Sequence, residues 1–321
     1  MRAGAMLLAT VCCAVAVPAA GQDYPQKPVR LIIPFAPGGS NDIIGRLLAA
    51  RLTETLGQQV IPDNRAGAGG SIGAEVAAKS APDGYTLVIG HIGTLAVNPT
   101  LYRKLPYNPI TDFAPISTIA KVANIMVVHP SLPVRSVSEF IALAKKKPGA
   151  MAYGSGGTGG APHLATEYLK LMAKIDVTHV PYKGTGPALV DLIAGQTQLV
   201  FAGAPAIVGH MKSGRLRALG VSTSKRLAVF PELPTVAEAG VPGYEATQWY
   251  GVLAPAGTPT PIVDRLNREI ASWVQTKQLQ QRLVDDGSEP FTTSPEAFLA
   301  FIKSETARWA PVIKAAHIVV D

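Results

Sequence analysis

Three glycine-rich stretches carry the residues whose types and spacing could do chemistry. In "IIPFAPGGSNDIIGRLL", residues 32–48, Pro34 and Pro37 bound the end of a short apolar run, Gly38 and Gly39 allow backbone conformations closed to other residues, and Ser40 is placed to cap a helix. Free N–H groups and the helix dipole at such a turn favour a carboxylate or a phosphate. Asp42 falls in the first helical turn, where the dipole stabilises its charge but where it repels an anion set beside it. Water between ligand and loop then becomes reasonable, and a plain turn capped by Asp42 is the structural alternative.

The second stretch, "MAYGSGGTGGAPHLATEYL", places Gly154, Gly156 and Gly159 in the G-x-G-x-x-G spacing of a dinucleotide fingerprint. That fingerprint wants an acidic residue at the end of the next strand, whereas Asp176 precedes "VTHV". A second anion nest accounts for the stretch better, with hydroxyls on Ser155 and Thr158 and backbone donors at Gly156, Gly157 and Gly159. In the third, "AGAGGSIGAEV", residues Gly69 to Gly73 match the nucleophile elbow G-x-S-x-G around Ser71. The polar "DNRAGA" stands where the elbow needs a strand, so Ser71 reads as a helix cap. A triad stays open on counting alone, because His163, His179, His210, His317 and Asp264 follow.

The six histidines show no metal spacing, and neither a metal nor a cofactor is expected. His163 opens the helix after the second nest and could face a cleft or simply pack. His91 and Thr94, in "IGHIGTLAVNP", follow a strand at the edge where ligands lie in open α/β sheets. Trp249 and Tyr250 read as core or hinge packing, or as pocket wall.

These residues need elements to position them. Apolar runs of strand length alternate with segments of helical period, the pattern of βα units and parallel sheets. "VRLIIPF", "QQVIPD" and "YTLVIG" read as strands of one series, and "VANIMVVHP", "AMAYGS", "DVTHVPY", "TQLVFAG" and "LRALGVS" as strands of a second. Then come the Pro- and Gly-rich "FPELPTVAEAGVPGYEA", the strand "WYGVLAP" and three helical stretches, which are expected to cover the first series. The chain would cross between halves twice, near residues 120–125 and 244–251, and two crossings make a hinge.

The opening "MRAGAMLLATVCCAVAVPAAGQ" has the charge, apolar length and small residues of a secretory leader, residues 1–21, and holds both cysteines. Without it no thiol remains to staple the fold or bind metal. A chain of 321 residues exceeds the ~250 at which single cores stop growing, so two domains are expected. They are assigned as residues 22–122 with 247–321, and residues 123–246. The formal charge of +7, or +6 without Arg2, favours small anions. No basic block interleaves with aromatics, which argues against nucleic acid.

"YPQKPVRLIIPFAPGGSNDIIGRLLA", "DNRAGAGGSIGAEVAAKSAPDGYTL", "YGSGGTGGAPHLATEYL", "HVPYKGTGPALVDLIAGQ" and "LPTVAEAGVPGYEATQWYGVLAPAGTP" together resemble the blocks, in order, of the tripartite tricarboxylate transporter substrate-binding proteins, the Bug-type periplasmic receptors. The resemblance runs from about Tyr24 to the C-terminus. It implies two doubly wound α/β lobes joined by two crossover segments, a type II periplasmic-binding-protein-like fold that works as a monomer, closes on a small carboxylate and delivers it to a membrane permease. It also implies that the loop from Phe35 to Asp42 holds ligand partly through water, while the loop from Ser155 to Gly159 grips a carboxylate directly. Residues and resemblance together give as ligand contacts Phe35, Pro37, Gly38, Gly39, Ser40, Asp42, His91, Thr94, Ser155, Gly156, Gly157, Thr158, Gly159, His163 and Ala204, with no catalytic residue. Similar proteins often carry an acid after the phenylalanine of "QLVFAG", where this chain has Ala202, which weighs against a ligand bearing an amino group. The rival readings are an exported serine hydrolase using Ser71 or Ser155, and a receptor serving a signalling partner.

Overall fold

The structure, a computed structural model, describes residues 24–316 and residue 318. The expected leader, with Cys12 and Cys13, lies outside the described residues. In chain order β1 (Val29–Ile33) leads into α1 (Ser40–Leu56), followed by β2 (Val60–Asn64), α2 (Ser71–Ala78), β3 (Thr86–His91), α3 (Asn98–Leu101) and β4 (Phe113–Val122). The second lobe follows with β5 (Asn124–Val128), α4 (Val137–Lys146), β6 (Ala152–Ser155), α5 (Ala161–Ala173), β7 (Thr178–Pro181), α6 (Thr185–Ile193), β8 (Leu199–Gly203), α7 (Ala204–Lys212) and β9 (Arg217–Val221). The chain then returns through β10 (Gln248–Pro255), α8 (Thr260–Val274), α9 (Lys277–Asp285), β11 (Ser288–Pro290) and α10 (Pro295–Ala315).

Two sheets result, in the orders β11-β4-β10-β3-β1-β2 and β7-β6-β8-β5-β9. The expected βα units form the parallel parts, β2-β1-β3 and β7-β6-β8. The sheets are nevertheless mixed, because β10 runs antiparallel to β3 and β4, and β5 runs antiparallel to β8 and β9. Each reversed strand directly follows a crossing, so it enters its sheet from the end where its neighbours leave. The first crossing is abrupt: β4 ends at Val122, β5 begins at Asn124, and only Ala123 intervenes. The second leads from Ala246, whose N–H still bonds Ser222 of the second lobe, into β10 at Gln248.

Helix ends follow local chemistry. Ser136 caps α4 by accepting from the Glu139 N–H at 3.1 Å, and Gly57 ends α1 at φ 71. Val263, Leu266 and Ile270 of α8 pack with Ile44 and Leu48 of α1 in the core on one face of the first sheet. On its other face a second core takes in Trp249, Phe298, Ile302 and Trp309 and continues without a break to Tyr153, Phe201 and Tyr244 of the second lobe. Tyr168 stacks on Tyr244 and meets Trp309 edge-on, so α10 ties the two halves beside the crossings. No helix among the described residues is long and apolar enough to cross a membrane.

Candidate ligand-binding cleft

The lobes face each other through glycines. The Ala36 N–H donates to the Lys183 carbonyl at 2.9 Å across the divide. A Cβ added to Gly186 would lie 2.1 Å from the Pro37 carbonyl oxygen, one on Gly69 2.1 Å from that of Thr158, and one on Gly203 2.3 Å from Ser40 Oγ. No side chain fits at such approaches, so the lobes are closed on each other. Three helices begin here: α1 from the first lobe and α5 and α6 from the second. Their leading N–H groups have no partner within the helix and carry the positive dipole end. In the first turn of α1, Ser40 Oγ and Asn41 Oδ1 are buried without a hydrogen-bond partner, as is Asn98 Oδ1 against Gly159. Three orphaned polar atoms at one interface mark a place built for something polar.

In the second nest Ser155 is fully buried, accepts the Gly157 N–H at 3.1 Å and lies 2.6 Å from His179 Nε2. His179 stacks on Tyr153, and His163 tilts against it at 4.4 Å. Burial lowers the His179 pKa to about 4, with Lys170 adding to the effect. His163 is lowered to about 3 by burial, then by His179 and Lys170. Both rings are neutral at pH 7. A proton on Nε2 of His179 lets it donate to Ser155 and frees the serine hydrogen for a ligand acceptor. A proton on Nδ1 instead makes Ser155 donate to His179, the arrangement of a nucleophile and its base. Among the described residues, however, His179 has no carboxylate bonded to it, and the nearby Glu167 is taken by Tyr153 and Lys170.

Several expected roles change. Gly39, not Ser40, is the N-cap of α1, and Gly70, not Ser71, that of α2, so both serines sit one position inside their helices. Ser71 follows a 3₁₀ turn at Ala68–Gly70 and accepts from Asn98 Nδ2 at 3.0 Å, which leaves no elbow. The Gly38 N–H is consumed by Asp42 Oδ2 at 3.2 Å, so the plain-turn alternative holds at that position. Burial alone would raise the Asp42 pKa, yet hydrogen bonds from Arg46, Asn64 and Gly38 outweigh it and hold it below the ordinary carboxylate value. The donors of this loop left for a ligand are therefore the N–H groups of Gly39, Ser40 and Asn41. Ala204 spends its N–H on the Ala123 carbonyl and packs toward Gly287, at the crossing and away from the nests.

Phe35 and His91 meet edge-on at 5.2 Å, and His91 lies against Tyr250. Burial holds His91 neutral, its pKa lowered to about 3 against an opposing contribution from Gln248. His91 Nδ1 accepts the Gly93 N–H, the Thr94 hydroxyl donates to the His91 carbonyl, and His163 Nδ1 accepts the Gly159 N–H. These three side chains brace the loops. Trp249 packs on Phe298 and Phe301 and is core. Pro37 and Thr158 contribute carbonyls to the interlobe contacts.

Residues 44–318 match the profile described as the tripartite tricarboxylate transporter family receptor. The chain belongs to this receptor family. It is 40% identical over 301 residues to protein BugT of Bordetella pertussis, covering 94% of this chain and 92% of that one. It is also similar to R. palustris Rpa4515 solved with adipate, with 42% identity, a TM-score of 0.90, and 92% and 99% of the two chains covered. MatC from Rhodopseudomonas palustris, solved with malate, shares 32% identity and a TM-score of 0.86 over 90% of this chain and 100% of that one.

Within this receptor the sequence reading missed one loop that faces both nests. A Cβ on Gly39 would lie 3.4 Å from Thr185 Cβ, and one on Gly156 3.2 Å from Thr185 N. Thr185 thus opens α6 between the two nests. "PYKGTGPAL", a strand end, two glycines and a helix start, carried the same signal as the other loops. Asn124 and Gln248 were missed because isolated amides form no motif. Gln248 Nε2 donates to Asn124 Oδ1 at 2.7 Å, and Asn124 Nδ2 to the Ala246 carbonyl at 2.7 Å, knotting the two crossings together.

Proposed function

We propose that this receptor works as a periplasmic monomer, closes over a small carboxylate and hands it to the membrane subunits of a tripartite tricarboxylate-type permease. The carrying observation is the convergence of the N-termini of α1, α5 and α6 on a glycine-lined interface with orphaned Ser40, Asn41 and Asn98 oxygens. Dipoles and neutral donors there would hold an anion with Ser155, Thr158, Thr185 and the first turn of α1. Adipate and malate in the two solved relatives support a carboxylate. In this reading residues 22–122 with 247–321 rotate against residues 123–246 about the crossings. Ala202 packs among Ile125, Val200 and Ile207, so no acid stands there to meet an ammonium group.

Calorimetry of ligand-stripped protein against mono-, di- and tricarboxylates, adipate and malate included, is expected to give a saturable binder with aspartate weaker. A panel without any binder would overturn the reading. Ser155→Ala is expected to weaken that binder by ~1 to 3 kcal/mol, the cost of leaving a charged acceptor short of a donor. Unchanged affinity would show the second nest to be ordinary turn structure.

The 2.6 Å approach of Ser155 Oγ to His179 Nε2 is the one observation that favours the hydrolase reading. Labelling by a fluorophosphonate, lost in Ser155→Ala, would establish it. No labelling is expected, because among the described residues no carboxylate orients His179 and the Ser155 oxygen already accepts the Gly157 N–H.

A further inference from the structure

A cavity of about 520 Å³ lies against the two crossings, and the carboxylate reading makes no use of it. Val122, Ala123 and Thr247 of the crossings line it. One wall, Thr223 to Val229, comes from the loop after β9 in the second lobe. The other comes from the first lobe, through Val284, Gly287 to Pro290, and α10. Along β10 the side chains alternate. Gln248 turns toward Gly203 and Asn124 beside the cleft, while Trp249 turns the other way, to Phe301 and the cavity.

Its size falls within the ~300–1,000 Å³ of small-molecule sites. Trp249, Phe301, Leu227 and Val229 give it an apolar body. Its polar groups are unevenly spent. Arg308 pairs with both Glu245 and Glu305, and Arg226 pairs with Glu238. Among the described residues Lys225, exposed on the rim, makes no ion pair, Lys121 stands over the Phe291 ring at 4.4 Å, and against these two cations the lining has one carboxylate without an ion pair, the exposed Glu289. Ser288, 6% exposed, lines the cavity with a buried hydroxyl that has no hydrogen-bond partner. An orphaned hydroxyl, aromatic walls and a small excess of unpaired positive charge suit an anion with an apolar body.

We propose that this cavity is a second ligand site, for a small amphipathic anion with an apolar ring or short chain and one acidic group, and that its occupancy favours lobe closure. Cleft and cavity lie on opposite sides of the crossings, so a rotation that parts the lobes at the cleft brings the cavity walls together. Those walls already touch at their edge: a Cβ on Gly287 would lie 2.9 Å from Ala204 Cβ and 3.2 Å from Leu227 Cδ1. A molecule wedged there resists opening. By linkage, closure must tighten its binding by the same factor.

The probe is 1-anilinonaphthalene-8-sulfonate, titrated by fluorescence into the full chain. One saturable site is expected, weakened at least fivefold in Lys225→Glu and abolished in Leu227→Trp, which fills the space. Gly186→Ala, whose methyl group meets Pro37 only when the lobes are shut, is expected to weaken the probe at least threefold. Adipate at saturation is expected to tighten it rather than displace it. Absence of a saturable site, indifference to both cavity substitutions, indifference to Gly186→Ala, or competitive displacement by adipate would each overturn the proposal. The three variants are measured without any carboxylate, so a second site that fails and a carboxylate cleft that fails give different results.

Discussion

Gly186→Ala is expected to cost the receptor at least a hundredfold in carboxylate affinity while leaving its lobes folded. Gly186 lies in the first turn of α6, where alanine is the better helix former by up to ~1 kcal/mol. The obstacle exists only between lobes: the new Cβ would stand 2.1 Å from the Pro37 carbonyl oxygen and 3.2 Å from Gly38 Cα. Both are backbone atoms, and neither can swing aside as a long side chain could. Closure must stop short, and the donors of α1 and α6 no longer reach one ligand together. A hundredfold loss corresponds to about 2.7 kcal/mol, a modest demand for an overlap of that depth. Calorimetry gives the affinity, small-angle scattering shows whether ligand still contracts the molecule, and the melting temperature reports the folding control. Wild-type affinity together with wild-type contraction would mean that the glycine contacts are not needed for capture.

The protein is also expected to lose stability steeply as pH falls from about 6.5 toward 4, a window set by two buried histidines, His91 and His163, and the half-buried His179. His91 and His163 are lowered to about 3, and His179 to about 4, from an ordinary 6.5, in each case chiefly by burial. A base with a folded pKa below its unfolded value takes up protons on unfolding, so stability is full above the unfolded pKa and drains as pH drops toward the folded one. Three such groups together give a slope of up to ~4 kcal/mol per pH unit, set against total stabilities of ~5 to 15 kcal/mol. Unfolding midpoints in urea at pH 7.5, 6 and 5 test this. Midpoints that stay level across that range would show that the rings titrate in the native state much as they do in the unfolded chain. In His163→Gln the slope should fall by about one proton.

What the residues reveal in advance depends on how local the cause is. Helix α4 was legible because Ser136 and Glu139 act within one turn. The nests were legible because glycines at strand ends themselves form the candidate site. Strand β4 was not, since Pro115, Ser117 and Thr118 interrupt its apolar run. The Ser117 and Thr118 hydroxyls are satisfied by Thr293, 176 and 175 positions away, a partner that exists only after folding. The same distance hid the orphaned Asn98 oxygen and the knot between Asn124 and Gln248. Ser40 and Ser71 were misplaced by one residue because glycine can begin a helix as readily as serine when the chain approaches its neighbour this closely.

Under the proposed function, the helix starts at the lobe divide would bear on how the cargo gets out as much as on how it gets in. A metabolite gripped by peptide dipoles has no salt link to sever: once the shells swing apart, solvent can take over each amide contact in turn. Unloading would then be set by how easily the protein gapes, which a docked membrane subunit could govern by touching the outside alone.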